Sequence, residues 1–135
     1  MWHKVFEYKK IGGYWRPIIP ITLKYNNIEL QYVALLDSGA DFNIFHSEIA
    51  SVLDIDLTKL TRSSFSGINI GSTGLAYMAI IEIGIEDYLF STPIYFSHTI
   101  SPDGYGIVGQ LGFFDKFKVM LDYKHKNIEL KRYDK

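Results

Sequence analysis

Apolar and polar positions alternate along much of this chain with a period of two, the spacing of strands that bury one face. Residues 2–8 alternate loosely and predict a strand, broken by Gly12-Gly13. Ile18 to Leu23 is a β-branched run in which Pro17 and Pro20 favour an edge or irregular strand. Tyr25-Asn26-Asn27 predicts a turn, and Glu29 to Leu36 returns to complete a hairpin. Phe42-Asn43-Ile44-Phe45 predicts another strand. Ser47 then reads as the N-cap of a short helix over residues 48–53, with Glu48 near its positive end. Strands follow at 77–83 and 88–96, with Gly84-Ile85-Glu86-Asp87 turning between them and Pro93 favouring an edge. After a turn at Ser101-Pro102-Asp103-Gly104, Gln110-Leu111-Gly112-Phe113-Phe114 has a short helix-like pattern. Phe117, Val119 and Leu121 alternate with Lys118, Met120 and Asp122, and a turn at 124–127 leads to Ile128-Glu129-Leu130. The picture is all-β with one or two short helices.

Between Thr61 and Ala76 the pattern changes. Serine, glycine, asparagine and threonine intermix with Phe65, Ile68, Ile70 and Leu75. A hairpin with a glycine-rich tip is expected, and an ordinary surface hairpin satisfies that composition.

Composition narrows the class. A length of 135 residues, with no repeat or linker, predicts one domain over 1–135. The hydrophobic fraction of 47% and the ten Tyr and nine Phe fit a packed β-rich core. Fourteen basic against fifteen acidic residues leave a net charge of −1, with no overall field to attract nucleic acid or an anionic membrane. There is no cysteine, which excludes disulfides and thiolate metal sites. The charged N-terminal stretch lacks a signal-like apolar segment, and no run of 18 apolar residues is present. A cytoplasmic protein without membrane or nucleic-acid partners is expected. His3, His46, His98 and His125 lack ligand spacing, so neither a metal nor a cofactor is expected. Serine-hydrolase elbows and phosphate loops are also missing.

The candidate chemistry lies in Ala34-Leu35-Leu36-Asp37-Ser38-Gly39-Ala40-Asp41. An apolar strand end delivers a carboxylate, a hydroxyl and a glycine in succession. Burying such an acid is costly unless hydrogen bonds or a second titratable group compensate. These eight residues alone fit equally a strand end with an Asx-type turn. A second motif, Ile107-Val108-Gly109, lies far downstream.

Apolar-Asp-Ser-Gly-Ala followed by Ile-Val-Gly before a short helix resembles the retropepsin-like aspartic proteases, over about residues 15–131. The resemblance implies a closed β-barrel with a flap hairpin, and an aspartic endopeptidase that needs no cofactor. It implies Asp37 as the catalytic acid, supported by Ser38, Gly39 and Ala40, with Ile107, Val108 and Gly109 packed beneath the loop. Gly39 and Asp41 would contact the substrate backbone, although Asp41 serves equally as a loop-capping acid. The best match to the flap tip is Gly67-Ile68-Asn69-Ile70-Gly71, placing Gly67, Ile68 and Ile70 against substrate. Only one Asp-Ser-Gly is present, so a carboxylate pair requires a homodimer acting on a peptide or protein. Viral relatives commonly have an arginine where this chain has Gln110, which can bond to Asp41 but not neutralise it. Arg16, in an Arg-Pro pair, is a candidate to reach Asp41 of a partner. The alternative is a non-catalytic peptide-binding or dimerisation module of the same fold.

Overall fold

A computed structural model describes residues 2–60, 62–64, 75–100 and 104–133 of the chain. Twelve strands are present among them. These are β1 (His3–Glu7), β2 (Lys9–Ile11), β3 (Tyr14–Arg16), β4 (Ile18–Tyr25), β5 (Ile28–Leu36), β6 (Ile44–His46), β7 (Arg62–Ser64), β8 (Leu75–Ile85), β9 (Tyr88–Ser97), β10 (Gly106–Val108), β11 (Phe117–Asp122) and β12 (Asn127–Arg132). One α-helix, α1 (Ser47–Val52), and a 3-10 turn at Leu57–Lys59 complete the elements.

Six strands close on themselves in the order β4-β5-β10-β6-β9-β8, and β8 returns to β4. That last seam pairs Thr22, Leu23 and Lys24 with Gly84, Ile83 and Glu82. A closed sheet removes the unpaired edges that an open one exposes. The barrel mixes directions: β10 runs parallel to β5 and β6 runs parallel to β9, while the long hairpins are antiparallel. Strand periodicity fills the interior. Ile19, Ile21 and Leu23 of β4 point inward, as do Phe90, Ile94 and Phe96 of β9 and Ile81, Ile83 and Ile85 of β8. Burying each such side chain contributes roughly 1.5–3 kcal/mol against conformational entropy.

A second sheet, β1-β12-β11, packs Phe117, Ile128 and Leu130 onto the same core. Trp2 fastens it to the barrel. Its ring meets Tyr88 and Phe117 at 5.9 and 5.5 Å, and its indole N–H donates to Asp87 Oδ1 at 2.9 Å in the β8–β9 turn. The tight turns place Asn26 and Glu86 at φ near +54°, where asparagine is the better suited of the two.

One local expectation, the edge around Pro20, holds for part of a strand, and three others change. Pro20 lies within β4 opposite Val33, but β8 does not pair with that stretch of the strand, so its missing N–H faces an unpaired side. Helix α1 is capped by His46, whose Nδ1 accepts from Glu48 N at 3.0 Å; Ser47 is instead buried and bonded to His98 Nδ1 at 2.6 Å. Residues 110–114 form hydrogen-bonded turns rather than a helix, because Gly112 adopts φ +110°. The second short helical element is the 3-10 turn at 57–59, capped by Asp56 Oδ1 accepting from Thr58 N.

The Trp2–Asp87 bond carries a pH signature. The indole hydrogen bond, chiefly, and then a backbone N–H and Lys4 hold the Asp87 carboxyl below its ordinary range. A depressed folded-state value gives stability that is present above the unfolded value and lost as pH falls through the folded one. Asp87→Ala is expected to melt at a lower temperature than the parent at neutral pH. That gap should close in acid, which paired thermal melts across the series will check.

Candidate functional site

The two motifs separated by some seventy residues lie side by side. Gly106, Ile107 and Val108 of β10 are in parallel register with Ala34, Leu35 and Leu36 of β5. The ladder runs one step further, with Asp37 N donating to Val108 O at 3.0 Å. Asp37 therefore leaves the sheet from a fixed position at the end of a buried strand.

The loop then folds on its own acid. Gly39 N donates to Asp37 Oδ1 at 2.9 Å, and Ala40 N donates to Asp37 O at 3.1 Å. This is an Asx-type turn, so the carboxylate has a structural role in its own loop. Among the described residues no cation pairs with Asp37 and no donor reaches Oδ2. The side chain is half-buried, while Ser38 and Gly39 beside it are exposed. Gly39 has little room for a side chain, since a Cβ would stand 3.2 Å from Asp37 Oδ1.

The far side of the loop is strapped to the chain beyond β10. Ala40 O accepts from Gln110 N at 2.9 Å, Asp41 O accepts from Leu111 N at 2.8 Å, and Phe42 bridges to Leu111. The Gln110 side chain donates to Ser38 O at 2.6 Å. Its amide thus holds the loop backbone and does not bond to the Asp41 carboxylate, contrary to the option raised from sequence. Arg16 lies over the Tyr14 ring at 5.7 Å. Beside Ser38 a shallow, open hollow of about 450 Å³ is lined also by Gln110, Leu111, Phe114 and Asp115.

Beneath the loop sits a residue that pattern reading passed over. Asn43 is fully buried. Its Oδ1 accepts from Gly109 N at 3.0 Å, and its Nδ2 stands 3.2 Å from Thr92 Oγ1, Pro93 O and Gly112 O. Thr92 Oγ1 also donates to Gly112 O at 2.7 Å. One amide thereby satisfies backbone groups from the turn after β10 and from β9, including the stretch around Pro93. The available signal was an amide inside the apolar run Phe42 to Phe45, where an unpaired polar group would be too costly to keep.

The glycine of the second motif is required by contact. A Cβ on Gly109 would meet Phe42 O at 2.5 Å and Ala40 O at 2.6 Å, both backbone atoms that cannot swing aside. On the candidate flap, β7 pairs with the start of β8, Arg62 opposite Tyr77. Gly67, Ile68 and Ile70 lie outside the described residues. Among the described residues no group of three or more His, Asp or Glu side chains is arranged to hold a metal ion. No helix there is long and apolar enough to cross a membrane.

No protein-family model matches the chain, and no curated protein matches it in sequence. Solved structures do match. A retropepsin-like aspartic protease from Rickettsia conorii aligns with a TM-score of 0.66 at 19% identity, over 95% of this chain and 89% of that one. EIAV protease, in complex with the inhibitor HBY-793, aligns over 70% of this chain and 82% of that one at 20% identity. Its TM-score is 0.43, too low to add weight. The first likeness establishes the shared fold.

Removing the Asn43 amide takes the acceptor from Gly109 N and a donor from Pro93 O, while Gly112 O keeps Thr92 Oγ1; a buried group left unpaired costs about 1–3 kcal/mol. Asn43→Ala is expected to lose about 2–4 kcal/mol in denaturant unfolding. Gly109→Ala should also destabilise, by about 1–3 kcal/mol, through displacement of residues 40–42. Unchanged midpoints for both would show that the loop does not depend on this contact.

Proposed function

We propose that this chain, which has the retropepsin-like fold, is one half of an aspartic endopeptidase. The observation that supports this most strongly is the state of Asp37. It is a half-buried carboxylate fixed at a strand end, with one oxygen tied to Gly39 and the other unbonded among the described residues. A structural Asx-turn needs one oxygen only. The second is available for chemistry.

Peptide hydrolysis by paired carboxylates needs two such acids close together. At a separation of a few ångströms they cannot both ionise cheaply, so the pair shares one proton. The ionised member takes a proton from a bound water as it attacks the scissile carbonyl. The protonated member donates to the carbonyl oxygen, and the proton inventory resets as the amine leaves. The single Asp-Ser-Gly of this sequence supplies one member, so a second copy supplies the other across a two-fold axis.

In that assembly Ser38, whose hydroxyl has no partner among the described residues, would tie the two loops together. Gly39 and Asp41 would meet the substrate backbone, with Ala40 anchoring the loop and Ile107-Val108-Gly109 supporting it. Gly67, Ile68 and Ile70 would close over an extended peptide whose backbone pairs with the groove and flap.

The test is cleavage of an unfolded protein substrate from acid to neutral pH, with parent and Asp37→Asn compared. The asparagine keeps the bond from Gly39 N, so the melting temperature should stay close to the parent's. Activity should fall at least roughly 10²–10⁴-fold. An inactive parent at every pH, or an active variant, would refute the reading.

A further inference from the structure

The near-cancellation of charge over the whole chain hides a local asymmetry. Residues 8–16 and 123–127 contain five cations, Lys9, Lys10, Arg16, Lys124 and Lys126, and no carboxylate. The fold brings the two stretches together. Tyr8 N donates to Lys126 O at 2.8 Å, and the Tyr8 and Tyr123 rings meet edge to face at 5.8 Å. Lys126 Nζ stands 3.6 Å from the Tyr123 ring centre and 5.7 Å from that of Trp15, which Lys10 also approaches at 5.8 Å.

The β2–β3 hairpin projects beyond this cluster. Its turn, Gly12-Gly13, has φ of +59° and +86°, and a Cβ at either position would meet nothing within 4 Å. The flanking side chains are apolar and open to solvent, with Ile11, Tyr14 and Trp15 exposed to 41%, 68% and 40%. Tyr123 on the neighbouring turn is 59% exposed. Isolated exposed apolar residues are ordinary, but here four share one surface flanked by five lysine and arginine side chains, and Asp122, a carboxylate at its margin, is engaged by His125.

We propose that this hairpin and the adjoining Tyr123–Lys126 turn form an attachment surface for an anionic lipid bilayer. Ile11, Tyr14 and Trp15 would enter the headgroup region, where amphipathic rings are favoured, and Lys9, Lys10, Arg16, Lys124 and Lys126 would face lipid phosphates. The net charge of −1 does not oppose this, because attraction at a surface is felt over about a Debye length, roughly 8–10 Å. Single-stranded nucleic acid fits less well. Base stacking would engage the rings of Tyr14, Trp15 and Tyr123 but leave the exposed aliphatic Ile11 at the same tip without a partner, whereas a bilayer interface takes aliphatic and aromatic side chains alike. An ammonium over a ring still has N–H groups to give to phosphate. The inference is independent of catalysis. Topology nevertheless links the two regions, since β3 runs into Pro17, whose carbonyl accepts from Leu36 N at 3.0 Å, one residue before Asp37.

The test uses the full chain with vesicles of phosphatidylcholine alone and of phosphatidylcholine with about one-third phosphatidylglycerol, read by co-sedimentation and tryptophan fluorescence. Binding is expected only with the anionic vesicles and should weaken as salt rises. Lys10→Glu should weaken it about tenfold or more, and Trp15→Ser should abolish the spectral shift. Lys118→Glu, at the far end of β11, should bind as the parent does, and thermal melts confirm that each variant is folded. Equal binding to both vesicle types, or unaltered binding by Lys10→Glu, overturns the proposal. So does Lys10-dependent binding of a single-stranded oligonucleotide without vesicle binding.

Discussion

A backbone-to-backbone approach too close for any side chain underlies the candidate site. At Gly109 the chain leaving β10 passes against the carbonyls of Ala40 and Phe42, where a methyl group would lie about 2.5 Å from oxygen. That closeness lets Gln110 N and Leu111 N bond to Ala40 O and Asp41 O, so the loop carrying Asp37 is held from both ends. Asn43 fixes the same crossing from below, through Gly109 N and the carbonyl of Gly112. The barrel supplies the frame: parallel β5 and β10 deliver the acid and its support to the same end in register. For the function proposed, a carboxylate placed this way would be pre-positioned by packing, so less would have to be organised on substrate binding.

Gln110 shows how the loop manages without a local cation. Its amide reaches Ser38 O, a neutral contact that ties the Asp-Ser-Gly turn to the segment beyond β10. Asp41 has no arginine or lysine partner among the described residues and remains half-buried at the loop's end. The loop is thus held mainly by amides and carbonyls, with one carboxylate oxygen, Asp37 Oδ1, engaged by Gly39 N. Such a loop is built within one subunit, while the function proposed for it is completed only between two.

Much of this was legible in the residues. Period-two alternation marked β9 and β12, and their buried sides are the ones the alternation implies, Phe90, Ile94 and Phe96 on one and Ile128 and Leu130 on the other. What escaped were contacts between distant positions. Leu111, Phe113 and Phe114 mimic a helical stripe, yet Gly112 turns left-handed and Asn43 and Thr92 hold its carbonyl. Ser47 has the chemistry of a cap, but His98, 51 residues away, engages its hydroxyl, and His46 caps in its place. Pairing partners are also invisible to periodicity: Pro20 marks the edge stretch of β4, but nothing in the pattern shows that the same strand closes the barrel from Thr22 onward. The acid itself stood out by residue type. The second motif, Ile107-Val108-Gly109, marked the strand beside it, but Asn43 beneath the loop did not stand out, because a buried asparagine has no period.

The central claim is that two copies each contribute one Asp37 to a single reaction centre. Subunit mixing tests it most directly. Parent chain and Asp37→Asn chain are exchanged at fixed total concentration, and peptide cleavage is measured against the fraction of parent. A shared centre predicts activity that follows the square of that fraction, because only parent–parent pairs are competent. Activity that falls in direct proportion to the fraction would mean that each chain acts alone, and would contradict the account.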